Sequence, residues 1–213
     1  MKLYICSIAE LSDAASYDAA SLKIDSLRKE KLNRIKSQAD RYRSLCAGLL
    51  LNYAVAEYRS AVSGADKLGI QELSIKELLS VEKQEYAYNQ KENGKPYISD
   101  MPDFYFSLSH SGDYVLCAWD SSEIGVDLQC MDREVKDTLA KKVMTEKEYN
   151  AYTDLPEWEK KTEFYRIWTI KESYCKLTGK GLSQGFRDIE TDKISYQEDL
   201  WKEHYRLAVS YYK

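Results

Sequence analysis

Proline and glycine are scarce, at 3 and 9 in 213 residues, which argues against long disordered linkers. Histidine is scarcer still. Only His110 and His204 occur, so a histidine-based metal cluster is not expected. The 5 cysteines (Cys6, Cys46, Cys117, Cys130 and Cys175) are odd in number and form no CxxC pair. Neither a zinc site nor a disulfide framework follows, and reduced thiols in a cytoplasmic protein are the simplest account. Long apolar runs are missing, since the stretch around Leu49–Leu51 is far too short to span a bilayer. The apolar N-terminus is interrupted by Glu10 and Asp13 and reads as a strand and loop, not a signal peptide. Excess positive charge is absent too. A net charge of −4 gives no general reason to expect nucleic acid or an anionic membrane as partner.

What is present is more specific. Hydrophobic residues make up 44%, enough to pack one large domain or two small ones. The most informative segment is WTIKESYCKLTGKGLS, from Trp168 to Ser183. Helical spacing sets Trp168, Glu172 and Lys176 on one face. Ile167, Ile170, Tyr174 and Leu177 form a stripe that can be buried. The helix is expected to stop near Gly179. An acid and a base one turn apart suit a magnesium-bound phosphate ligand, or form an ordinary surface pair. Between Asp25 and Arg43, seven cations (Arg28, Lys29, Lys31, Arg34, Lys36, Arg41 and Arg43) face only Asp25, Glu30 and Asp40. That local excess is either a solvated helix face or an anion site.

Residues 2–8 read as a strand, and the pattern from Ser21 to about Val62 is helical. A short helix is expected over Ser74–Ser80, a strand over Glu85–Asn89 and a turn at ENGKP, residues 92–96. A boundary near Asp100–Asp103 would divide the chain into units 1–103 and 104–213, the second carrying the metal site. Alternation in Phe104–Ser109, a Ser-Gly-Asp turn at 111–113, and runs at Tyr114–Trp119 and Ile124–Gln129 predict a three-stranded antiparallel meander. Helices follow over Arg133–Tyr152 and Phe164–Leu177. Phe186–Glu190 and Tyr205–Tyr211 read as closing strands. The order of strand, helix and strands occurs in both halves and hints at a duplicated unit.

Four places could carry chemistry. Asp127, on the strand face opposite Ile124, Val126 and Leu128, could join Glu172 in holding a hard cation, or serve as a turn or cap residue. SLSHSG at 107–112 could line a phosphate pocket with Ser109 and His110, or hold a structural histidine. Adjacent strand residues point to opposite faces, which disfavours a Ser109–His110 nucleophile pair. Lys95 sits in a turn. Glu148 is a surface residue by default, or a general base if its pKa is raised.

In this order, a Lys/Arg-rich helix, GKP, SHSG, GVDLQ and WxxKESxxKxxGKG, the chain resembles the phosphopantetheinyl transferases of the larger, surfactin-synthetase-activating type. The resemblance covers roughly residues 25–185. It implies an α+β fold of two similar subdomains with pseudo-twofold symmetry in one monomeric chain. It also implies a cytoplasmic enzyme that moves 4'-phosphopantetheine from coenzyme A to a serine of an apo acyl or peptidyl carrier protein. Such carriers serve fatty-acid, polyketide or nonribosomal-peptide synthesis. The reaction would depend on Mg2+ and release 3',5'-ADP, with no nucleic acid or membrane involved. By resemblance, Asp127 and Glu172 match the magnesium ligands. Arg28, Lys31, Arg43 and Ser44 match contacts to the nucleotide end of coenzyme A, and Lys95, Ser109 and His110 match further contacts. Lys171 and Lys176 match lysines near the pyrophosphate, and Glu148 matches a proposed base, the alternative being a metal-bound water. Two departures stand out. Gln129 occupies a metal-ligand position where many members have Glu, which implies an extra water or weaker magnesium affinity. Arg28 replaces a common lysine. A catalytically weakened coenzyme A-binding module is the alternative function.

Overall fold

The protein is described here from a computed structural model that covers residues 1–60, 69–181 and 185–213. Ala61 and Val62 at the end of the first helical pattern, and Leu182 and Ser183 of the KES segment, lie outside the described residues. Two compact units divide the chain, Met1–Ser122 and Glu123–Lys213. The sequence placed the break about twenty residues earlier. The difference arises because the hairpin after residue 103 hydrogen-bonds to the N-terminal strand.

In the first unit, β1 (Lys2–Ser7) runs parallel to β2 (Ile70–Glu72). On its other side it is antiparallel to β6 (Tyr114–Asp120), which pairs with β5 (Tyr105–Ser111). The β5–β6 turn opens with Gly112 at φ 52, the left-handed geometry a two-residue hairpin needs at that position. The long helical pattern resolves into α1 (Ala14–Lys23), α2 (Ser26–Leu32) and α3 (Gln38–Arg59). The breaks are chemical. Asp25 accepts from Arg28 N and Ser37 from Asp40 N, so each begins a new helix as its N-cap. α3 lies on β6, β1 and β5, and α4 (Ile75–Ser80) packs beside it. Leu45, Leu49, Leu50 and Val55 of α3 are buried against Tyr4, Cys6, Phe104 and Phe106. Each such side chain contributes about 1.5–3 kcal/mol. The hairpin of β3 (Tyr88–Gln90) and β4 (Pro96–Ile98) stands apart, closed by Gly94 at φ 84.

In the second unit, β7 (Ile124–Cys130) does not extend the β5–β6 hairpin, so the expected three-stranded meander is not formed. It pairs instead with β9 (Tyr205–Tyr211), and β9 pairs with β8 (Tyr196–Trp201). The strand expected at Phe186–Glu190 is a 3-10 turn over Phe186–Asp188. Phe186 is drawn there by Trp168, whose ring centroid lies 5.7 Å away. α5 (Asp137–Val143) and α6 (Glu146–Thr153) precede α7 (Glu157–Thr178), which lies across β7 and β9. α7 ends where expected, at Gly179 with φ 69, whose N–H donates to Cys175 O.

Candidate active site

The approach of α7 to β7 is set by one missing side chain. A Cβ on Gly125 would lie 2.1 Å from Ser173 O and 2.3 Å from Leu177 N. Only glycine lets the helix backbone rest directly on the strand. Ser173 reinforces the contact, its hydroxyl 2.7 Å from that of Ser210 on β9. Two residues beyond Gly125, Asp127 is therefore carried beneath the face of α7 that bears Glu172 and Lys176.

Asp127 is 2% exposed. Lys176 Nζ donates to its Oδ1 at 2.7 Å and Gln129 Nε2 to its Oδ2 at 2.8 Å. Glu172 is pushed up to about 7, first by burial, then by the charge of Asp127, with Lys176 opposing. Asp127, Glu172, Lys176 and Gln129 thus form one polar group under a helix. Trp168, one turn back, stacks against Phe164 and Phe186 with centroids 5.5 and 5.7 Å away and holds the face in place.

Do these residues fit a magnesium ion? Two near carboxylates, one of them reluctant to ionise beside the other, are a donor pair that a hard cation would neutralise. Gln129 presents its amide nitrogen, not its oxygen, to Asp127, so as it stands it orients a ligand. A half-turn of the amide would offer the oxygen. Among the described residues no cluster of three or more His, Cys, Asp or Glu is placed to hold a metal. The donor set fits an ion held by two carboxylates and completed by water.

Glu148 and Lys171 belong to a different arrangement, which corrects two expectations. Lys171 is 0% exposed. Its Nζ donates to Val143 O at 2.8 Å, Glu148 Oε2 at 2.6 Å and Phe186 O at 3.0 Å. All three protons are used inside the protein, so none is left over for a pyrophosphate. Glu148 also accepts from Thr145 N, Thr191 N and Thr191 Oγ1. Burial raises its pKa, but the bonds from Lys171, Thr145 and Thr191 outweigh burial and leave it below the ordinary range. The raised pKa that a base role required is not there. The sequence did carry a signal. Phe164, Ile167 and Lys171 follow helical spacing, so Lys171 lies in an apolar stripe.

In the first unit, Arg28 pairs with Asp25 (Nε to Oδ2, 3.5 Å) and reaches Ser44 O at 3.5 Å. Arg28, Lys31 and Asp25 line a cavity of about 320 Å³ with Tyr88, Asn89 and Gln90 of β3. Arg28 Nε, ion-paired with Asp25, and Ser44 Oγ on α3 are buried without a hydrogen-bond partner. Arg43 donates to Gly112 O at 2.9 Å and pairs with Asp40 at 2.6 Å, so it ties α3 to the β5–β6 turn. Ser109 is buried and His110 exposed at successive β5 positions, facing opposite ways, which excludes them as a nucleophile pair. Lys95 is half-buried in the β3–β4 hairpin.

Asp127 and Glu172 with Lys176 under one helix, and Arg28 and Lys31 around α2, are residue types that suit phosphate groups and a hard cation. A model of the 4'-phosphopantetheinyl transferase superfamily matches residues 123–212, nearly all of the second unit. The chain is 31% identical over 183 residues to a 4'-phosphopantetheinyl transferase of Bacillus subtilis, covering 86% of this chain and 72% of that protein. It is 32% identical over 156 residues to 4'-phosphopantetheinyl transferase Sfp of Bacillus subtilis strain 168, spanning 60% of its length. With 4'-phosphopantetheinyl transferase HetI of Nostoc sp. it shares 36% over 112 residues, spanning 47% of that relative. The chain belongs to the 4'-phosphopantetheinyl transferase superfamily.

Proposed function

We propose that this protein transfers the 4'-phosphopantetheine group of coenzyme A to a serine of an apo acyl or peptidyl carrier protein. The observation that carries the reading is the Asp127–Glu172–Lys176 group on a glycine-packed helix and strand, in a chain of this family. The serine oxygen attacks the phosphorus bearing pantetheine, the bond from that phosphorus to 3',5'-ADP breaks, and the serine proton is released. Magnesium, held by Asp127 and Glu172 with Gln129 beside them, would supply neutralisation of the pyrophosphate charge. Lys176 carries the positive charge that a departing phosphate needs. Arg28, Lys31 and Ser44 offer donors for the nucleotide end, and the buried Ser44 Oγ without a hydrogen-bond partner and the cavity lined by Arg28 and Lys31 support that assignment. Arg43, Lys95, Ser109 and His110 remain proposed contacts of coenzyme A.

Each unit packs one 22-residue helix, α3 or α7, on a sheet, which supports the reading of two similar α+β halves. Among the described residues no helix is long and apolar enough to cross a membrane. We place the enzyme in the cytoplasm as a monomer acting without nucleic acid or membrane. The test is a mass spectrum of apo carrier proteins incubated with the protein, coenzyme A and Mg2+. A phosphopantetheine mass increment is expected. Coenzyme A binding with no increment on any carrier would replace the reading with that of a binding module weakened at Gln129. Activity surviving Asp127→Ala with Glu172→Ala would overturn the metal assignment.

A further inference from the structure

We infer that Glu148 and Lys171 form a positioning pair that fixes the rotation of α7, and that neither exchanges a proton with substrate. The inference rests on the proposed metal role of Glu172. Successive helix residues are about 100° apart, so the direction of residue 171 dictates that of residue 172. Lys171 points into the protein, held by three acceptors on three segments: the last residue of α5, the first turn of α6 and the 3-10 turn at Phe186. Glu148 gathers the same segments from its side. Its Oε2 takes the Thr145 N–H of the α6 capping box, and its Oε1 takes the backbone and hydroxyl of Thr191. Gly125 sets how close α7 lies to β7. Glu148 and Lys171 set how it is turned, so that Glu172 meets Asp127. A carboxylate already accepting four hydrogen bonds and lying below its ordinary pKa is poorly prepared to take a serine proton.

The experiment is a charge-pair cycle on the full chain, read by Mn2+ binding with electron paramagnetic resonance and by transfer kinetics. Glu148→Gln and Lys171→Met should each weaken Mn2+ binding about 10–100-fold, the range for residues supporting a ligand from behind. The double variant removes the same contact and should bind Mn2+ about as weakly as the weaker single variant, the two losses failing to add. Glu77→Gln, which breaks the other capping box, should leave Mn2+ binding unchanged. If Glu148→Gln does not fold, the double variant decides alone, since wild-type Mn2+ binding in it would show that α7 is placed without the pair and would overturn the inference. Glu148→Gln with normal Mn2+ binding and lost kcat would make Glu148 a base and overturn the inference. Weakened Mn2+ binding in both single variants of a protein that modifies no carrier would uphold the pair and refute the transferase reading. A wild-type protein that binds no Mn2+ overturns both.

Discussion

Replacing Gly125 by alanine tests the geometry most directly. The added methyl would stand 2.1 Å from Ser173 O, 2.3 Å from Leu177 N and 2.8 Å from Leu177 Cα. Ordinary contacts begin near 3.5 Å. All three atoms are backbone, so no side chain can swing aside. α7 must therefore back away from β7 by about 1 Å, which breaks the Ser173–Ser210 contact and parts Glu172 from Asp127. The cost belongs at the upper end of overpacking, about 3 kcal/mol. For a chain of this length that is a fall in Tm of about 6–12 °C. Gly94→Ala is the control. It has φ 84 but nothing within 4 Å of its Cβ, so it carries only the left-handed backbone cost, about 1 kcal/mol and 2–4 °C. Calorimetric scans of both variants and Mn2+ titration of each settle the matter. Gly125→Ala should lose most of its metal binding, while Gly94→Ala should lose none. Equal Tm shifts for the two variants, or wild-type Mn2+ affinity in Gly125→Ala, would refute the argument that close backbone packing builds the site.

Three further outcomes are expected. Gln129→Glu adds a carboxylate and removes the donor to Asp127, so Mg2+ affinity should rise about tenfold while the metal-free protein loses stability. Identical metal curves for the two proteins would remove Gln129 from the ligand sphere. Glu172 holds its proton more tightly folded than unfolded, so its contribution to stability falls as pH rises from the ordinary carboxylate range to about 7. In EDTA, Glu172→Gln should therefore be more stable than wild type at pH 8, by about 2 kcal/mol after allowing for partial solvent access, and indistinguishable near pH 4. Urea melts at both pH values check the sign. Arg28→Ala should weaken coenzyme A binding about 10–100-fold by calorimetry, the range for a charge-assisted bond, with Mn2+ binding unchanged.

Parts of both units were legible from local chemistry. The alternation of β5 and β6, the stop at Gly179 and the shared face of Glu172 and Lys176 all depend on residues near one another in sequence. The errors have physical causes. The pattern from Ser21 onward hid two helix starts, although Asp25 and Ser37 were visible cap residues. β7 was assigned to the preceding hairpin because short connections favour neighbours, yet its partner β9 lies some eighty residues on. β8 was missed because its Gln197–Leu200 stretch is exposed on both faces, so no alternation marks it. The site divided the same way. Asp127 and Glu172 were recognisable by residue type and spacing. The burial of Lys171 was signalled only by its helical spacing from Phe164 and Ile167, because a lysine's depth depends on what α5 and the Phe186 turn place over it.

The pairing of β1 also bears on how the chain is made. β1 is buried along Leu3–Cys6 and needs β6 at its side, with Lys2 opposite Trp119 and Ser7 opposite Tyr114. A ribosome delivers β6 roughly a hundred residues after β1, at about 5–20 residues per second. For about 5–20 s the nascent chain carries an apolar strand without its β6 neighbour, only β2 arriving on the other side in the interval, and β7 then waits in the same way for β9. Slower synthesis of the intervening residues, or scarce chaperone, should therefore lower the yield of folded enzyme before any residue of the active site is disturbed.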